Sequence, residues 1–164
     1  MMIRLLTILL VLPFFGFCQD FQLKQVNTEA FKKELANKDY SQEAIHLYLM
    51  NNYEVLSDKL QVRKYTYPDF SICAFKQEFE HQITYSEEQC REAGGISIQL
   101  MLPKTDRISL RKWIEFMYKA EGMDSGNVWN ADHSKYAPAE ALPGCYYEII
   151  ETESNTILEV YCGC

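Results

Sequence analysis

The chain has 164 residues, 48% of them hydrophobic, with 16 Lys and Arg against 23 Asp and Glu, and six cysteines. An acidic balance with no basic cluster beyond Lys32-Lys33 and Arg111-Lys112 argues against a phosphate-reading surface, and so against a nucleic-acid partner. A single domain of this size buries about two-thirds of its unfolded surface, so a core forms with or without cross-links.

Residues 1–18 read as a signal peptide. Met1 to Arg4 is a positively charged start, Leu5 to Phe15 an apolar run too short to span a bilayer, and Gly16-Phe17-Cys18 an acceptable cleavage site. The mature domain is therefore expected to cover 19–164, beginning at Gln19. Lipid on Cys18 is not expected, because lipoprotein processing wants a small residue where Phe17 stands. Loss of Arg4 leaves 15 basic and 23 acidic residues, a net charge of −8 with histidines neutral. Export to a periplasmic or secreted location makes Cys73, Cys90, Cys145, Cys162 and Cys164 disulfide candidates before metal ligands. Five is odd, so at least one is expected to stay free or to pair between chains.

Along the mature chain the pattern turns helical at Thr28, a plausible N-cap, with Ala30, Phe31, Leu35 and Ala36. A second helix is expected from Ser41 toward Leu56, carrying Ala44, Ile45, Tyr48 and Leu49. Leu60 to Tyr67 reads as a strand ending at Pro68-Asp69. Ser71 to Tyr85 alternates for an unusual length, with Cys73, Phe75, Phe79 and Ile83 on one face and Lys76, Glu78, Glu80 and Gln82 on the other. Such a run is expected to bend or bulge. Ser86-x-x-Gln89 resembles a capping box for a short helix holding Cys90, stopped by Gly94-Gly95.

Ile96, Ile98, Leu100 and Leu102 alternate as a strand up to Pro103. The strongest helix spans about Arg107 to Glu121, with Leu110, Trp113, Ile114 and Met117 at helical spacing, Thr105-Asp106 at its start and Gly122 at its end. Residues 123–144 show no period. Loops of that length are usually functional or disordered, which makes Trp129, Asp132, His133 and Tyr136 the candidate binding loop.

The last twenty residues read as a β-hairpin turning at Ser154-Asn155. One register sets Cys145 opposite Cys164, Tyr147 opposite Cys162 and Ile149 opposite Val160. A slip of two residues keeps the same faces and pairs Cys145 with Cys162 instead. Both stay open, with Cys73 and Cys90 as the other bridge and either Cys162 or Cys164 unpaired. The order of elements predicts an α+β fold, an antiparallel sheet of about five strands with helices packed on one face and a C-terminal β-hairpin.

Chemistry is sparse in this pattern. Cys162-Gly163-Cys164 admits thiol exchange or a soft metal, with structural pairing the competing reading. His46, His81 and His133 lie in no zinc-ligand spacing. Asp124, Ser125, Asp132 and His133 contain the residue types of a hydrolytic set but no positioned nucleophile, and Glu78 and Glu80 read as a solvated strand face. The expectation is an exported non-enzymatic module of inhibitor, immunity or accessory type. It would need no cofactor or metal, have no membrane span, and contact a protein or small ligand through the long loop and a tyrosine-bearing edge. The alternative is a thiol-redox or soft-metal carrier using the terminal Cys-Gly-Cys.

Overall fold

The computed structural model describes residues 20–37, 44–63, 73–89, 95–122, 126–140 and 142–163. The leader 1–18, the helix start at Ser41, the end of the strand to Tyr67, and Cys90 and Cys164 lie outside the described residues. The fold is α+β. Helices α1 (Thr28–Ala36), α2 (Ala44–Asn52) and α3 (Arg107–Ala120) accompany strands β1 (Leu60–Arg63), β2 (Ala74–Phe79), β3 (Ile83–Glu88), β4 (Ile96–Pro103), β5 (Asn127–Trp129), β6 (Lys135–Pro138), β7 (Gly144–Glu151) and β8 (Asn155–Gly163). All eight strands form one antiparallel sheet in the order β1-β2-β3-β4-β8-β7-β6-β5, rather than the five expected.

The three extra strands come from segments whose local signals are weak. The long alternating run is two strands, joined by Glu80-His81-Gln82, with Phe79 opposite Ile83. His81 and Gln82 both have positive φ, 60° and 62°, a left-handed conformation that costs a non-glycine residue about 1–2 kcal/mol. His81 is therefore a turn residue rather than a strand residue, and its ring packs against Phe21 and Tyr53. Ser86 to Glu88, expected to begin a short helix, continue β3 between β2 and β4. The patternless stretch before the hairpin supplies β5 and β6.

α1 starts one residue earlier than expected, with Asn27 as N-cap accepting from the Ala30 amide at 3.0 Å. Asp106 caps α3, its carboxylate accepting from Ser109 N at 2.7 Å, and Gly122 follows at φ 72°, where only a residue without Cβ turns at no cost. Helix α2 is buried without interruption from Ala44 to Leu49. A helix apolar on all sides needs cover on all sides, and the aromatic contacts supply it. His46 meets Phe75, Phe79 and Tyr85 on the sheet, while Tyr48 meets Phe31 of α1 and Trp113 of α3. The inward faces of β4, β7 and β8 complete this core with Ile98, Leu100, Leu102, Ile149, Leu158 and Val160.

One polar chain crosses the core. The Gln77 amide nitrogen donates to the Ser57 carbonyl at 3.1 Å, which turns its oxygen toward His46 Nε2 at 2.8 Å. With the Gln77 oxygen as acceptor, His46 donates from Nε2; burial, against that hydrogen bond and with the positive charge of Lys59, lowers its pKa below the ordinary 6.5. A histidine that takes up protons more readily unfolded than folded gives stability that is complete above 6.5 and declines as the pH falls through that value. Denaturant midpoints should therefore drop between pH 6.5 and the carboxylate range near about 4. A His46→Gln variant should show a flatter profile over that window; an unchanged slope would remove His46 as its cause.

Candidate functional site

The four residues expected in a binding loop divide into two pairs. Trp129 of β5 and Tyr136 of β6 are register partners, and both rings turn toward α3. Their centroids lie 5.0 Å apart, Trp129 Nε1 donates to Glu115 Oε1 at 2.8 Å, and the Arg111 guanidinium sits 4.9 Å above the indole. Tyr136 also meets Tyr118 and Tyr147, and burial with the charge of Glu115 raises its phenol pKa. Tyr136 therefore packs in the core, and Trp129 lies along its edge.

Asp132 and His133 form the exposed tip between β5 and β6. Asp132 Oδ1 accepts from the Ser134 hydroxyl at 2.8 Å and its amide at 3.1 Å, bonds that hold the carboxyl below its usual range. His133 occupies the left-handed region at φ 56°. Asp124 and Ser125 lie outside the described residues. Glu78 and Glu80 make ion pairs with Lys76 and Lys24.

The face of the sheet turned away from the helices carries a second group of side chains. Because successive strand residues alternate sides, the residues between the buried ones on β3, β4, β8, β7 and β6 all point outward. Register aligns them in rows. One row runs Ser86, Gln99, Glu159, Glu148, Lys135, and the next runs Glu88, Ser97, Tyr161, Tyr146. Together with Val62 and Ala137 they line an open trough of about 520 Å³.

Glu148 and Glu159 stand directly opposite each other, a like-charge pairing that destabilises a sheet. Flanking partners offset it. Lys135 Nζ lies 3.0 Å from Glu148 Oε2, and Gln99 Nε2 donates to Glu159 Oε1 at 3.1 Å. Tyr146 and Tyr161 are also cross-strand neighbours, with ring centroids 6.5 Å apart, and the Tyr146 hydroxyl donates to the Leu142 carbonyl at 2.6 Å. Tyr161 is 39% exposed, so the pair offers a fixed aromatic surface with two carboxylates beside it. In the sequence Tyr146 and Glu148, and Glu159 and Tyr161, fall at alternate positions of the hairpin and so share one face, but nothing there draws Ser86 or Lys135 to them. The alternation of β4 placed Gln99 outward; nothing short of the register placed it beside Glu159.

At the end of the same strands Cys145 lies opposite Cys162, and the two form a disulfide with Cα atoms 4.0 Å apart. The hairpin therefore takes the register slipped by two, with Tyr147 opposite Val160 and Ile149 opposite Leu158, and Cys164 is not the partner of Cys145. Cys73 is also disulfide-bonded. Among the described residues no group of three or more His, Cys, Asp or Glu is placed to hold a metal ion, and no helix is long and apolar enough to cross a membrane. Comparison of the chain with family models, curated proteins and solved structures finds no match.

Proposed function

We propose that the protein is an exported, non-enzymatic binding module of inhibitor, immunity or accessory type, which engages its partner through the face of the sheet turned away from the helices and the adjoining β5–β6 tip. The observation that carries this reading is the trough of about 520 Å³ with its tyrosine pair. Tyrosine is enriched at interface cores because its flat apolar ring adds contact area while its hydroxyl stays hydrogen-bonded. A leader-like start and the Cys145–Cys162 bond fit an oxidising periplasmic or extracellular destination. Thiol exchange or soft-metal carriage through Cys162-Gly163-Cys164 is supported less, since the Cys162 sulfur is tied to the fully buried Cys145.

Affinity capture with the folded chain from the native compartment tests the reading. A partner retained in stoichiometric amount is expected. It should be lost when Asp132, His133, Tyr146 and Tyr161 are changed together to alanine, with cooperative unfolding preserved. Absence of any retained partner for the wild-type chain, or capture indifferent to all four changes, would refute it.

A further inference from the structure

We infer that the trough on the open face of the sheet binds an extended, arginine-bearing polypeptide segment of a basic partner. This rests on the binding-module reading and adds the chemistry of the guest. Charge is the first observation: Glu148 and Glu159 line the trough with Lys135 as its cation among the described residues, and Lys135 is already paired with Glu148. The surface is thus short of positive charge at the place where two carboxylates face each other across a strand pair. A guest guanidinium between them adds a positive charge beside Glu159, to which Gln99 brings only a neutral donor.

The aromatic pair is the second observation. Tyr146 and Tyr161 sit one register step from Glu148 and Glu159 on the same two strands, so a side chain whose head reaches the carboxylates lays its stem or planar head on a ring. Guanidinium satisfies both at once, stacking on aromatic faces and bonding carboxylates in a fork. Shape is the third. The trough crosses β3, β4, β8, β7 and β6, four gaps of about 4.8 Å or some 19 Å in all, which matches about six residues of extended chain. A small cation would fill only a fraction of it.

The probe is a six-arginine peptide titrated onto the full chain at low ionic strength, with a six-glutamate peptide and spermine as comparisons. Saturable one-to-one binding of the arginine peptide is expected. It should weaken at least tenfold in Glu148→Gln/Glu159→Gln and in Tyr146→Ala/Tyr161→Ala, and stay within twofold in Glu29→Gln/Glu153→Gln, which removes equal charge from exposed sites elsewhere. The glutamine pair keeps side-chain size on a solvated face, so it remains interpretable if the tyrosine variant loses its fold. Equal weakening by the control pair would reduce the effect to diffuse attraction and overturn the proposal, as would spermine binding as tightly as the peptide. Partner capture from the native compartment separates the two levels. A partner held equally by wild type and Glu148→Gln/Glu159→Gln leaves the module reading standing and removes the arginine-bearing guest; no partner for the wild type removes the module reading itself.

Discussion

Tyr147→Ala is expected to lower the unfolding free energy by about 3–5 kcal/mol, the range for emptying a buried aromatic site. Tyr147 is 2% exposed at the centre of β7, and its ring lies among those of Tyr118 from α3 and Tyr136 from β6. It therefore ties the helix layer to the half of the sheet that the C-terminal hairpin builds. Burial, with the negative charge of Glu121, pushes its phenol pKa upward, so the group stays neutral, and its hydroxyl donates to Glu121 Oε2 at 3.3 Å. Tyr147→Phe removes that one bond and keeps the ring, which should cost about 1 kcal/mol. Denaturant unfolding of the two variants measures both. A phenylalanine as damaging as the alanine would mean that the hydroxyl, not the packing, holds this junction.

The parts of the fold legible in the sequence are those in which one element carries its own complete pattern. Helix α3 repeats Leu110, Trp113, Ile114 and Met117 inward and is capped by Asp106 and Gly122; β4 alternates buried and outward residues over its whole length. The turn at Glu80–Gln82 was hidden because it contains no Gly, Pro or Asn. Its three residues also keep parity, so Phe79 and Ile83 point inward on both sides of it and the two strands read as one. Ser86-x-x-Gln89 misled for the opposite reason: a local capping signal was overridden when β2 and β4 supplied ladder partners on both sides of Ser86. β5 and β6 are three and four residues long, too short to show a period. The trough belongs to none of these patterns. Its rows run from Ser86 to Tyr161 and become neighbours only through the register of five strands, and register is what the pleat leaves open, since a slip of two preserves every face.

That ambiguity gives the Cys145–Cys162 bond its importance, and its removal is the second large effect expected. Of the two face-preserving registers the structure takes the one that places these sulfurs together. The bond spans a sequence separation of 17, and a closed loop of that length stabilises by about 3 kcal/mol through the entropy of the unfolded chain. The strand end around it has little room to rearrange, because a Cβ added at Gly95 of the neighbouring strand end would lie 2.0 Å from the Cys162 carbonyl oxygen. Cys145→Ala/Cys162→Ala should therefore unfold cooperatively with a stability loss of about 3 kcal/mol, or about 6–12 °C in Tm for a domain of this size. The double variant is the informative reagent, since a reductant would also open the bond at Cys73. Fragmentation of the unreduced C-terminal peptide should locate the crosslink on Cys162. A crosslink from Cys145 to Cys164 would restore the other register, and with it separate Glu148 from Glu159 and Tyr146 from Tyr161. A loss below about 1 kcal/mol with the crosslink as described would show that the flanking β4–β8 ladder, rather than the bond, holds the hairpin closed.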